Sequence, residues 1–136
     1  MTFNQFGYLF DSNIVIAIMD NDHAAVNLVR QAQEEKRRIF FSTITECEVL
    51  SGVKHNQFLL AERLFSPRHM IHVDSAVARR AASMQSEQRS KGRKIKTPDA
   101  LIIATAFTAN LVLVSQDADM NFITNEYGMT LMKIHE

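Results

Sequence analysis

Five short runs of apolar residues punctuate the chain: GYLF at 7–10, IFF at 39–41, MIHV at 70–73, LVLV at 111–114 and TLMKI at 130–134. Such runs lack the alternation of a strand with one wet face, so a sheet built from them must be covered on both sides. Helix-like stretches separate them, and strands alternating with helices make a parallel sheet joined by crossover helices. The expected class is therefore α/β, a three-layer α/β/α sandwich with a mostly parallel central sheet. A chain of 136 residues suffices for one such domain with a sizeable core. Nothing marks a linker, a repeat or a low-complexity tract, so residues 1–136 read as a single domain.

The helices announce themselves through caps. Asp20-Asn21-Asp22 breaks the chain and offers caps to a helix over about 23–37, where Ala25, Val26, Leu28, Val29 and Ala32 form an apolar stripe. Thr43-Ile44-Thr45-Glu46 has the form of a capping box opening a helix that runs to Gly52. A helix over 55–65 stops before Ser66-Pro67. Another covers 74–90 with Ala78, Ala81, Ala82 and Met84 facing inward. Thr97-Pro98 starts the last long one, with threonine as cap and proline at the first position.

Several classes are disfavoured. The formal net charge is zero, unlike a generic nucleic-acid coating protein, which is usually strongly basic. Cys47 is the lone cysteine, so neither a disulfide framework nor a zinc cluster is available, and it reads as a packed small apolar residue. The five histidines form no ligand pattern such as HExxH. No apolar run approaches the ~18 residues of a membrane span. The N-terminus lacks the zones of a secretory signal, which leads to the expectation of a cytoplasmic protein.

Against this background four acidic residues stand out. Asp11, Glu48, Asp99 and Asp117 each sit in an otherwise apolar stretch, where a strand gives way to a helix or loop. Carboxylates avoid such surroundings unless something compensates their charge. In parallel sheets, sites form beyond the carboxyl ends of the strands, and the topology allows these four to meet there. Two carboxylates ~4 Å apart repel by about 4 kcal/mol at an effective dielectric of 20, and a divalent cation turns that repulsion into binding. Magnesium and manganese suit carboxylate and water oxygens and serve phosphodiester hydrolysis. Each position also has a purely structural explanation. Asp11 suits a helix cap, Asp99 the helix dipole, and Asp117 a turn. Glu46 is accounted for by the capping box, and Glu48 points to the opposite side of its helix. Asn13 is placed to orient Asp11 or hold a water, and Ser12 to cap a helix or meet a phosphate. Asp119 is a further oxygen donor.

The segments FDSN, TECEVLSG, DALIIATA and LVSQDAD, in this order and spacing, resemble the signature segments of PIN-domain ribonucleases, and of VapC-type toxins in particular. Through that resemblance the family's acidic positions fall on Asp11, Glu48, Asp99 and Asp117. Its polar partner after the first Asp falls on Asn13, and its small hydroxyl residue before the last Asp on Ser115. The resemblance implies a Mg2+- or Mn2+-dependent endoribonuclease, a homodimer, and inhibition by a small cognate antitoxin. The chain departs from many relatives after the last Asp, where it reads DADMNF, which leaves Asp119 and Asn121 without an assigned role.

For such an enzyme, in-line hydrolysis would leave a 5′-phosphate and a 3′-hydroxyl with no histidine base. Arg89, Lys91, Arg93, Lys94 and Lys96 lie just upstream of Asp99. They would steer phosphates, with Arg93, Lys94 and Lys96 the nearest, or form a solvated loop. Tyr8, Tyr127, Phe3 and Phe6 are the aromatics open to a stacking role. The alternative function is a catalytically weak PIN-like RNA-binding or regulatory domain. Two phosphoryl-transfer folds fit less well. A haloacid-dehalogenase-type phosphatase wants a second Asp where Asn13 stands, and a receiver wants paired early acids and a late lysine.

Overall fold

Strand β1 (Gly7–Phe10) lies at the centre of a five-stranded sheet, flanked by β2 (Arg38–Ser42) and β4 (Val112–Val114). Beyond these lie the short edge strands β3 (Met70–Ile71) and β5 (Leu131–Met132), giving the order β3-β2-β1-β4-β5. Every pairing is parallel. The computed structural model describes residues 7–136; Phe3 and Phe6 lie outside that range.

Among the described residues, seven α-helices connect the strands: α1 (Ser12–Met19), α2 (His23–Glu34), α3 (Thr43–Gly52), α4 (Phe58–Leu64), α5 (Ser75–Ser90), α6 (Thr97–Ala109) and α7 (Phe122–Tyr127). They cover the two faces of the sheet and create two cores. Strand alternation decides which side chain joins which. Leu9 and Leu113 point to one face, where Val77, Ala81 and Met84 of α5, Ile102 and Ile103 of α6, and Ile123 of α7 meet them. Tyr8, Phe10, Phe41, Val112 and Val114 point to the other, packed by Ile14 and Val15 of α1, Leu28 of α2, Val49 of α3 and Ala61 of α4. Phe10, Leu9, Ile14, Ile102 and Leu113 are wholly buried, each worth about 1.5–3 kcal/mol of transfer free energy. This is the three-layer α/β/α sandwich expected, with a sheet that is parallel throughout. The glycine that opens β1 sits where a side chain would crowd its neighbours. A Cβ at Gly7 would stand 2.7 Å from Leu111 Cδ2 and 3.3 Å from the Arg38 carbonyl oxygen.

The structure corrects several local expectations. The cap of α3 is Ser42, whose Oγ accepts from Ile44 N at 3.0 Å; Thr43 is the first helical residue, so no Thr43–Glu46 capping box forms. Thr43 Oγ1 instead accepts from Val73 N across to the end of β3, at 3.4 Å. Lys96 occupies the cap position of α6, and Thr97 Oγ1 is turned to Gln85, from which it accepts at 3.1 Å. Val77, Ala81, Met84 and Gln88 form the buried stripe of α5, whereas Ala78 and Ala82 are exposed. Cys47 is exposed rather than packed. Of MIHV only the first two residues form a strand.

Candidate active site

The strand order reverses direction on either side of β1, so β1 and β4 diverge into crossovers on opposite faces. That divergence opens a crevice at their carboxyl ends, the usual position of sites in open parallel sheets. Asp11 follows β1 directly, and its N–H extends the ladder to Val114 O at 3.0 Å. It is buried and caps α1, with Oδ1 accepting from Ser12 N at 2.8 Å. Its Oδ2 accepts from the hydroxyl of buried Ser115 at 2.7 Å. The same Ser115 Oγ accepts from Asn13 Nδ2 at 3.3 Å and from Asp117 N at 3.1 Å. Asn13 Oδ1 in turn accepts from Gln116 N at 3.1 Å. Ser115 is thus the hub that fixes the turn carrying Asp117 against the turn carrying Asp11. Asp117 bends its own backbone, its Oδ1 accepting from Asp119 N at 2.9 Å.

The other two carboxylates arrive from helices. Glu48, exposed in the second turn of α3, accepts from Ser12 Oγ at 2.7 Å, which ties α3 to the start of α1. Ser12 Oγ is therefore turned to Glu48, and the cap of its helix is Asp11. Asp99 is the third residue of α6, with no side-chain hydrogen bond among the described residues. Burial pushes the Asp11 carboxyl above its ordinary range. Hydrogen bonds from Ser115 and Ser12 N oppose the rise, and the negative charges of Glu48 and Asp117 add to it. The Asp99 carboxyl is raised by burial and then by Asp11, Asp117 and Glu48, with Lys96 as a weaker opposing charge. All four acids therefore share one electrostatic neighbourhood.

An open cavity of about 600 Å3 adjoins them. Asp99, Asp117 and Asp119 line it together with Arg93, Lys94, Lys96, Phe122 and Asn125. Lys94 and Lys96 have no ion pair among the described residues, whereas Arg93 and Lys91 both bind Glu126, at 2.6 and 2.7 Å. Those bonds, with one from Gln88, hold the Glu126 carboxyl down at about 2. Arg89 stands on the last turn of α5 and does not line the cavity. Tyr8 is buried against Phe10, and Tyr127 is partly buried with edge contacts to Phe107 and Phe122 and does not line this cavity.

A family model described as the PIN domain matches residues 8–124. The chain belongs to the PIN domain family. Among solved structures it is similar to FitAcB from Neisseria gonorrhoeae, at 22% identity over 95% of this chain and 99% of that one, with a TM-score of 0.76. A second is VapBC2 from Rickettsia felis bound to a DNA fragment from their promoter, at 21% identity over 93% and 98%, with a TM-score of 0.75. A third is a toxin–antitoxin complex from Klebsiella pneumoniae, at 27% identity over 95% and 98%, with a TM-score of 0.69. A search of the curated proteins finds no match. The likeness to VapC-type toxins expected from the sequence is borne out.

Whether this PIN domain suits a divalent ion is a question of donor chemistry. The candidate donors are carboxylate oxygens with serine and asparagine beside them, the preference of hard cations such as Mg2+ and Mn2+. Two of the carboxyls are held back from ionising by burial and by their like-charged neighbours, a field that a cation would reverse. Among the described residues, no three His, Cys, Asp or Glu side chains already stand as a ready ligand set. The donor types fit, and closure around an ion would require side-chain adjustment.

Sequence reasoning missed Gln88, Glu126, Phe122 and Asn125. Gln88 is a buried polar residue whose amide donates to Glu126 Oε1 and Tyr127 Oη, both at 3.0 Å. A polar residue on the inward stripe of α5 was the available signal, hidden by the alanines chosen to define that stripe.

Proposed function

We propose that this PIN domain is the toxin of a toxin–antitoxin pair, a Mg2+- or Mn2+-dependent endoribonuclease that works in the cytoplasm. The observation that carries the reading is the coupling of Asp11, Glu48, Asp99 and Asp117 at the switch point of the sheet. In the reading, these four residues would hold the ion, which would supply charge neutralisation and water activation for hydrolysis of a phosphodiester. The protein's own contribution is positional. Ser115 and Ser12 N fix both oxygens of Asp11, and Ser12 Oγ fixes Glu48. Asn13 and Ser115 keep Asp117 at its distance through the backbone. Lys94 and Lys96, which line the same cavity as Asp99 and Asp117, draw in the RNA backbone.

The toxin assignment draws on the likeness to the VapBC2 and FitAcB structures and on the toxin–antitoxin complex, and a cognate antitoxin goes with it; a homodimer is proposed from the sequence resemblance alone. Exposed Ile16 on α1 and Phe58, Leu59 and Leu60 on α4 support an apolar surface that a partner covers. Purified protein incubated with RNA and Mn2+ is expected to yield fragments with 5′-phosphate and 3′-hydroxyl ends. Asp11→Asn and Asp99→Asn are expected to reduce cleavage by at least 100-fold, on the order of 3 kcal/mol of barrier. Equal cleavage by all three preparations would mark a contaminating nuclease and end the assignment. RNA binding without turnover would instead support the weakly catalytic alternative.

A further inference from the structure

Arg93 is tethered and stacked within the wall of the cavity. Its Nη1 donates to Gln88 Oε1 at 2.5 Å and to Glu126 Oε2 at 2.6 Å, so that nitrogen is tethered by the protein's own side chains. Its guanidinium carbon lies 4.6 Å from the centroid of the Phe122 ring. Phe122 is itself braced edge-on by Tyr127. The side chain of Arg93 remains 43% exposed and lines the cavity beside Asp99 and Asp117. A guanidinium held over an aromatic ring and tethered through one nitrogen, on the wall of a cavity, is suited to stack on a planar group that enters. Asn121 and Asn125 line the same cavity, both exposed, and neither carboxamide has a hydrogen-bond partner among the described residues. A carboxamide offers a donor and an acceptor side by side, the pattern that pairs with a base edge. The cavity, about 600 Å3, falls within the ~300–1,000 Å3 of small-ligand clefts.

We propose that the Arg93–Phe122 stack, with Asn121 and Asn125, is a nucleobase subsite that holds one base of a single-stranded RNA next to the acidic centre. It rests on the nuclease reading for its location relative to the cut. Single-stranded RNA is recognised chiefly by bases splayed onto aromatic or guanidinium planes and hydrogen-bonded at their edges. The three cations of this wall therefore divide their work. Lys94 and Lys96 take phosphates, and Arg93 takes a base. Glu126 and Gln88 are positioning residues that keep the guanidinium flat against Phe122.

The test separates the subsite from catalysis. Full-length protein is titrated with AMP, GMP, CMP, UMP and, as the baseless control, ribose 5-phosphate, with the side-chain amides of Asn121 and Asn125 followed by NMR. At least one nucleotide is expected to bind about tenfold more tightly than ribose 5-phosphate, the order of a single base stack, and to shift the Asn125 amide. Arg93→Lys, which keeps the charge and loses the plane, should return that nucleotide to the level of ribose 5-phosphate and leave ribose 5-phosphate itself unchanged. Asn125→Ala should reduce the discrimination among the four bases. If no nucleotide outbinds ribose 5-phosphate, or if Arg93→Lys weakens both alike, the subsite is overturned. Cleavage of a degenerate RNA pool then sorts the two readings. Cleavage without base discrimination in the titration removes the subsite and keeps the nuclease. Discrimination without cleavage keeps the subsite and removes the nuclease.

Discussion

Replacing Asp99 by asparagine isolates the electrostatics of the acidic centre, because no hydrogen bond is lost. Two effects oppose each other in the absence of divalent ions. Asp99 sits in the first turn of α6, where a negative charge gains about 0.3–1 kcal/mol from the helix dipole. Burial and the like charges of Asp11, Asp117 and Glu48 work against it, as the raised carboxyl records. With EDTA present, the variant should therefore unfold within about 2 °C of wild type, given roughly 3–4 °C per kcal/mol for a chain of this length. Mn2+ at about one hundred times its dissociation constant should stabilise wild type by about 2.7 kcal/mol, hence raise its Tm by about 9 °C. Asp99→Asn should show less than half of that rise at the same concentration. The pH dependence has a definite sign. A carboxyl raised above its unfolded value of 3.8 takes up its proton first in the folded state, so its repulsive cost is full at neutral pH. That cost is relieved as pH falls through the raised value toward 3.8, so wild type should gain on Asp99→Asn as the solution is acidified. Differential scanning calorimetry at pH 7.5 and 5, with EDTA or Mn2+, reads all four states. Identical Mn2+ shifts in the two proteins would refute the shared site. A loss above about 2 kcal/mol in EDTA would show Asp99 to be structural instead.

Three other outcomes follow from the same geometry. Ser115→Ala removes the 2.7 Å bond to Asp11 and should cost about 1.5–3 kcal/mol at pH 7; the deficit should shrink at low pH, where Asp11 is protonated, in paired urea titrations. Glu126→Gln should flatten the acid limb of the Tm–pH curve, because wild type loses the Lys91 and Arg93 pairing as pH falls from 4.5 through about 2. Thr45 Oγ1 is buried with no hydrogen-bond partner among the described residues, so Thr45→Val should raise stability by about 1 kcal/mol, visible as a Tm increase of roughly 3 °C.

The parts of this architecture that were legible in the sequence are those enforced by continuous burial. GYLF and LVLV have no polar position to place in water, so they had to be central strands, and Asp11 and Asp117 were conspicuous as the charges that end them. What the sequence concealed depends on contacts between distant residues. The cap of α3 is one residue earlier than the motif suggested, because Thr43 is turned to Val73 of the chain leaving β3. Thr97 is likewise turned to Gln85. A hydroxyl beside a helix start has two local uses, and only the tertiary neighbour decides between them. On α5 the alanines are small enough to sit on either side, so they carried no orientation. The buried stripe was marked by Val77, Met84 and the polar Gln88, whose partners Glu126 and Tyr127 lie nearly forty residues away.

The acidic centre and the fold are held by the same register. Phe10 lies opposite Val114 in the parallel ladder, so the next pair along the two strands is Asp11 and Ser115. A slip of one residue between β1 and β4 would bring each of Leu9 and Leu113 level with a residue that faces the other core, and would mismatch Tyr8, Phe10, Val112 and Val114 in the same way. The two cores could not both be filled under that slip, so the apolar pattern fixes the register. Once it is fixed, Ser115 Oγ has little choice but to meet Asp11, and the turns bearing Asn13 and Asp117 close around it. Burial thus places a carboxylate where it would not ionise readily alone, and the hydroxyl beside it favours the charged form.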